Sequence, residues 1–354
     1  MKQKLSGTVV RSDLKLSDGR TISYYDSRDI DRSAVDTRND EAQPGIGHLR
    51  LDPLVNEWVA VASHRQHRIF LPPKELCPLC PTNGDLLTEI PDSNYQVVVF
   101  DNKSPSLAAP SKDFTLPQNS GRNTPVVEAA GHCEVICFTD LHEGSFGSLK
   151  LEQMRMVMEA WRDRVKELSK LPYVEHVFPF ENRGEEVGVT LNHPHGQIYA
   201  TDFPFRNVSQ QLELSKRNFE KTGRDIFQEI IDCEIKDGRR IIYEDAEVIA
   251  FIPFFARYAF ELMIFPKKSV SNLTLCDDTL IQSLAKAYRV VTGKLDALYQ
   301  MQVPYVMTIM QSPVDGKPHP NYRMHIWLQP PFRQPGLIKY LAGPELGAGN
   351  FMAD

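Results

Sequence analysis

Apolar residues recur along the chain in two rhythms. Short apolar or alternating runs bounded by turn residues predict strands at Tyr95 to Phe100, Glu134 to Thr139, Val248 to Pro253, Phe260 to Pro266, Pro304 to Met310 and Arg323 to Leu328. Thr8-Val9-Val10 and Thr21-Ile22-Ser23-Tyr24-Tyr25 lie either side of Asp18-Gly19 and predict a hairpin. Arg50 to Ala62 reads as strand, turn, strand. Ile230 to Ile235 and Arg239 to Tyr243 read as a further hairpin about Asp237-Gly238. The second rhythm is helical: Leu151, Met154, Val157, Met158, Trp161, Val165 and Leu168 form one face between Lys150 and Leu168. Cys276 to Leu298 predicts another helix. Asp26 to Gln43 is dominated by charge, and Pro110 to Thr124 by Ser, Pro and Asn; both read as loops.

The order of elements repeats. Hairpin, strand, helix and two strands occur once before residue 203 and again after it, which fits an α+β fold built from a duplicated unit. The corresponding division is an N-terminal extension at 1–45, a first half at 46–202 and a second half at 203–354.

Within the first half, Asn192-His193-Pro194-His195-Gly196-Gln197-Ile198-Tyr199-Ala200 breaks the apolar pattern. If Val187 to Ala200 is extended, alternation puts His193, His195 and Gln197 on one face, neighbours roughly 7 Å apart. Two imidazoles and an amide on one face form a polar cluster that a core would not choose. Pro194 suits an irregular strand, and Gly196 leaves room for a ligand or another backbone.

Charge and cysteine usage narrow the class. A formal net charge of -6 supplies no basic field, so a nucleic-acid polymer is not the expected partner. No apolar run is long enough to span a membrane, and Met1 to Ser12 lacks an apolar signal core. Six cysteines in 354 residues do not make a disulfide scaffold, so a reduced, cytoplasmic protein is expected. Cys77-Pro78-Leu79-Cys80 lies among prolines, as a rigid knuckle rather than a helix-opening redox pair, and its spacing suits tetrahedral zinc. No second Cys-x-x-Cys follows, so histidines or carboxylates should supply the remaining ligands.

The string His-Pro-His-Gly-Gln resembles the His-x-His-x-Gln signature of the histidine-triad superfamily, in the form found in galactose-1-phosphate uridylyltransferases. Phe180-Glu181-Asn182-Arg183-Gly184, the Cys pair, the segment after Trp58-Val59-Ala60-Val61 and the run Leu337 to Gly349 carry further resemblance. It implies histidine-triad-like halves and one structural zinc site, with His142 as third ligand and His193 as fourth. It implies that Arg65 and Arg68 lie near the nucleotide phosphates, where guanidinium forks suit paired oxygens. Asn102 is implied as a uracil or ribose contact, Glu181 and Asn182 as neighbours of the site, and Gly188, Val189 and Thr190 as lying near the transferring phosphate. Lys339 and Glu345 would meet the hexose phosphate and hydroxyls. The family's usual homodimer implies that these two can be lent across an interface.

The implied reaction exchanges UMP between UDP-glucose and galactose-1-phosphate. His195 is the implied nucleophile, forming a covalent intermediate, and Gln197 the donor to a phosphate oxygen. Where some relatives bind a second iron or zinc, this chain has Met310 and Trp327 beside His325, so no second metal site is expected. Pro344 replaces a family tyrosine and Val189 a familiar cysteine, changes that bear on sugar specificity. Adenylyl transfer from ADP-sugars, nucleotide hydrolysis and a zinc-stabilised binding module without turnover are the competing readings.

Overall fold

The computed structural model describes residues 2–5, 7–39, 47–63, 71–115 and 124–353. The N-terminal hairpin about Asp18-Gly19 is present, but its first strand is displaced toward the turn: after β1 (Lys2–Lys4), β2 (Val10–Lys15), not Thr8 to Val10, pairs antiparallel with β3 (Thr21–Asp26), and Gly19 takes a left-handed φ of 86° in the turn. β4 (His48–Asp52) and β5 (Glu57–Val61) form the next hairpin. Then come β6 (Val97–Asp101), β7 (Val126–Glu128), β8 (Gly131–Cys137), α1 (Leu151–Leu168), β9 (His176–Arg183) and β10 (His195–Thr201). The second half contains α2 (Arg206–Thr222), α3 (Ile226–Asp237), β11 (Ile241–Glu244), β12 (Val248–Phe251), β13 (Leu262–Pro266), α4 (Asp278–Tyr299), β14 (Tyr305–Met310) and β15 (His325–Gln329). A short ribbon of β16 (Phe332–Gln334) and β17 (Leu337–Ile338) follows.

Among the described residues, twelve strands form one antiparallel sheet in the order β1-β2-β3-β6-β8-β10-β9-β14-β15-β13-β12-β11. The duplication is visible in that order. β3-β6-β8-β10-β9 in the first half matches β11-β12-β13-β15-β14 in the second, and the copies meet where β9 pairs with β14, Phe180 opposite Thr308 and Glu181 opposite Met307. This is the α+β architecture of duplicated units that the element order implies.

α1 and α4 pack together against one face of the sheet. Their buried stripes, including Trp161, Val157, Leu284 and Tyr288, join Ile136, Ile198 and Ile309 in the main core. On the other face the halves differ. In the first half the Cys77–Cys80 knuckle packs with Tyr24, Tyr95, Val98 and Cys137. In the second half α2 and α3 lay Val208, Phe227 and Ile231 over Phe251, Phe265 and Trp327.

Two expectations are corrected here. Ile230 to Ile235 is not a strand but the end of α3: Phe227, Ile231 and Glu234 are buried at helical spacing, Asp225 caps the start and Gly238 (φ 72°) ends it. Asp237-Gly238 is therefore a helix terminus, not a hairpin turn. Nor is Val187 to Ala200 extended throughout. Glu185–Val187 forms a short 3-10 turn between Gly184 and Gly188, both at positive φ, and the strand starts only at His195. No helix among the described residues is long and apolar enough to cross a membrane.

Candidate active site

Four donors converge beside the start of β10. The Sγ atoms of Cys77 and Cys80 and one ring nitrogen each of His142 and His193 all lie within 4.8 Å of one another. Nδ1 of His142 is 3.4 Å and Nδ1 of His193 3.5 Å from Cys80 Sγ, so both rings turn the same nitrogen inward. The other nitrogen of His193 is 2.7 Å from the Thr139 carbonyl. A carbonyl only accepts, so Nε2 carries the proton and Nδ1 presents its lone pair to the thiols. Tyr95 stands 2.7 Å from the same Nε2 and donates its hydroxyl to the Leu79 carbonyl at 2.9 Å, tying the ring to the knuckle. Two sulfurs and two nitrogens at this spacing fit a closed tetrahedral metal site.

His195 is oriented by the same residue. Its Nδ1 lies 2.7 Å from the His193 carbonyl, which must accept, so Nδ1 carries the proton and Nε2 bears the free lone pair. Burial pushes the His195 pKa down, and the hydrogen bond to His193 opposes this only in part. The ring is therefore neutral at pH 7. Two cavities meet at it. One, of about 330 Å³, is lined by Leu79, Phe100, Asn102, Lys103, Thr190, His195 and Gln197 among others. The other, of about 160 Å³, is bordered by Ser145, Glu181, Asn182, Val189, Asn192 and His195.

Gly196, between His195 and Gln197, is required by packing. A Cβ there would stand 2.8 Å from the Phe180 carbonyl and 3.1 Å from Phe138 Cζ, so the close approach is by protein.

Of the residues implied by resemblance, His195, Gln197, Asn102, Asn182, Val189 and Thr190 border these cavities. Glu181 also borders the smaller one, but its carboxylate turns to the hydroxyls of Tyr288 and Tyr305. Burial raises its pKa to about 7, the tyrosines and Arg183 offsetting only part. Gly188 shapes the preceding turn and borders neither cavity. Lys339 and Glu345 are brought to each other, Nζ to Oε1 3.4 Å, and border neither cavity. Arg65 and Arg68 lie outside the described residues. Sequence reasoning missed Glu89, Lys103 and Ser104 in the larger cavity wall. Lys103 and Ser104 follow Asn102 directly and could have been included; nothing local to Glu89 marks it.

Two family models cover nearly the whole of this architecture: the galactose-1-phosphate uridyl transferase N-terminal domain over residues 36–204 and its C-terminal domain over 210–349. The chain belongs to the galactose-1-phosphate uridylyltransferase family. It is 35% identical to the uridylyltransferase of Streptomyces lividans over 326 residues, covering 89% of this chain and 86% of that protein. The Thermotoga maritima uridylyltransferase is 34% identical, with 86% and 93% covered. A solved uridylyltransferase superposes with a TM-score of 0.77 at 27% identity, over 87% of this chain and 94% of that one. An ADP-glucose phosphorylase from Arabidopsis thaliana shares the fold, with a TM-score of 0.64 at 23% identity over 86% and 94% of the two chains.

Within this uridylyltransferase fold the second half retains the outline of the first half's site. His325 occupies the place on β15 that His195 has on β10, and its Nδ1 faces the Arg323 carbonyl at 3.1 Å. There the likeness ends. Phe265 stacks on the His325 ring at 4.8 Å, Phe227 covers it at 5.8 Å, and the residue is 1% exposed. Trp327, in the place of Gln197, donates its indole N–H to Glu261 at 2.7 Å. α2 and α3 thus fill the space that is open around His195.

Proposed function

We propose that this chain exchanges UMP between UDP-glucose and galactose-1-phosphate through a uridylyl-His195 intermediate. The observation that supports it most is the imidazole between two cavities with Nδ1 bonded to the His193 carbonyl. That bond leaves Nε2 as a neutral nucleophile. In the first step the Nε2 lone pair forms a bond to the α-phosphorus, the bond from phosphorus to the bridging oxygen breaks, and glucose-1-phosphate leaves with the electron pair. The positive charge that develops on the ring is stabilised through Nδ1–H by the His193 carbonyl. In the second step a phosphate oxygen of galactose-1-phosphate attacks the same phosphorus, and the P–N pair returns to Nε2.

In this reading the larger cavity takes the uridine, with Asn102 toward the nucleoside, Thr190 and the amide of Gln197 toward the non-bridging oxygens as charge grows there. The smaller cavity, with Asn182 and Val189, takes the leaving and entering hexose phosphate side. Arg65 and Arg68 are assigned to the phosphates by resemblance. Glu181 acts behind the site, through β9. Zinc fits Cys77, Cys80, His142 and His193, where it would supply structural order and not an open coordination position. A cytoplasmic location suits thiols that must stay reduced. Lys339 and Glu345 are assigned to the hexose phosphate of a partner subunit in a homodimer.

Intact-mass measurement after incubation with UDP-glucose alone tests the reading. One added uridylyl group, absent in His195→Asn, is expected. An adduct with an ADP-sugar but none with UDP-glucose would replace the uridylyl assignment. Binding without an adduct from either would sink the covalent mechanism.

A further inference from the structure

The β2–β3 hairpin lies before residue 36, where the N-terminal family model begins, and Asp36 and Arg38 lie at the first positions of that model; both parts are bonded to the wall of the larger cavity. Arg20, just after the hairpin turn, donates to Glu89 Oε2 at 2.6 Å, to Asp18 Oδ2 at 2.6 Å and to the Asp101 carbonyl at 2.9 Å. The backbone N–H of Thr21 donates to Asp101 Oδ2 at 2.7 Å. Arg38 donates to the other oxygen of Glu89 at 2.6 Å and is itself gripped by Asp36 at 2.8 and 2.9 Å. Asp36 in turn accepts from Ser17 at 3.1 Å.

Glu89 lines the cavity beside Asn102 and Lys103. A carboxylate in the wall of a site for a diphosphate repels its ligand unless it is neutralised. Lys103 is exposed and 3.9 Å away, a weak partner. The two guanidiniums are not: their side chains are 11% exposed, that of Glu89 is 12%, and each carboxylate oxygen has its own donor. Arg20 and Thr21 also anchor Asp101, the residue before Asn102.

We propose that the N-terminal segment is a built part of the nucleotide subsite, in which Arg20 and Arg38 mask Glu89 and hold the Asp101–Asn102 corner so that the cavity accepts an anionic nucleotide. This rests on assigning the cavity to the nucleotide. Arg20 and Arg38 are positioning residues: they act on the ligand through Glu89 and Asp101.

Equilibrium binding of UDP to the full chain tests it. The Arg20→Met/Arg38→Met variant should bind UDP roughly tenfold more weakly at low salt, with a smaller loss near 0.5 M salt, where one charge is screened over a few ångströms. Adding Glu89→Gln should recover part of that affinity, because the carboxylate that borders the cavity is gone while Asp18 and Asp36 stand behind it. Glu89→Gln alone, which removes the negative charge from the cavity wall, should bind UDP more tightly than the unaltered protein at low salt. If the double variant does not fold, Arg20→Gln and Arg38→Gln singly should show smaller losses with the same salt dependence and the same rescue. Unchanged affinity, or a loss that neither salt nor Glu89→Gln relieves, overturns the masking. Absence of UDP binding by the unaltered protein overturns the nucleotide assignment itself, and is read before any variant is made.

Discussion

Gly196→Ala probes whether the position of His195 is set by packing behind β10. A methyl group there would be 2.8 Å from the Phe180 carbonyl, 3.1 Å from Phe138 Cζ and 3.4 Å from Ile136 Cγ2. The carbonyl cannot retreat easily, because β9 is held between β10 and β14. Phe138 is wedged edge-on against Phe146 and Trp161. The strand must therefore move, and overpacking of this kind costs about 1–3 kcal/mol. The sign is diagnostic: an unstrained Gly-to-Ala change would stabilise by up to about 1 kcal/mol through the unfolded chain. Moving the neighbouring imidazole by a fraction of an ångström should slow uridylyl transfer to His195 by roughly 10- to 100-fold. Urea unfolding gives the stability change from the midpoint at constant slope, and quenched intact-mass time courses with UDP-glucose give the rate. A midpoint equal to or above that of the unaltered protein, with an unchanged rate, would refute the argument.

Treatment with a chelator, or Cys80→Ser, should slow adduct formation more than it weakens UDP binding if the proposed zinc is held there, because His193 both belongs to the donor set and orients His195 through its carbonyl; equal losses in both would show the knuckle acting on the nucleotide cavity instead. Glu181 has a pKa raised to about 7, chiefly by burial, so the folded state binds its proton more tightly than the unfolded state. Its contribution is fully present below the ordinary value of 4.5 and is lost as pH rises through about 7. Glu181→Gln should therefore gain stability relative to the unaltered protein between pH 5 and 8, by at most about 3 kcal/mol, and a pH-independent difference in unfolding midpoint would count against it.

Much of this protein is written locally. Apolar alternation at Val97–Phe100 or Val248–Phe251 specifies strands whatever surrounds them, and the stripe from Leu151 to Leu168 specifies the helix that covers them. The site's chemistry is local too, since His193, His195 and Gln197 are close in sequence and Cys77 and Cys80 form one knuckle. Where local signals compete, they mislead: Ile230, Ile231 and Ile235 suit a strand or a helix equally in a short window, and only burial of Phe227, Ile231 and Glu234 beneath the second half decides for the helix. The turn at Gly184 and Gly188 likewise interrupts what alternation alone would extend.

Tertiary structure alone decided three matters. It determined which carbonyl orients His195, because a hydrogen bond to the residue two positions back requires the bend at His193-Pro194, where His193 also meets Cys80 of the knuckle. It left His195 open and closed His325, because only in the second half do α2 and α3 cover that face. And it joined Arg20 and Arg38 to Glu89 across 69 and 51 positions of chain. Such pairings carry no period or motif: opposite charges are common along any chain, and only the folded sheet selects which of them meet.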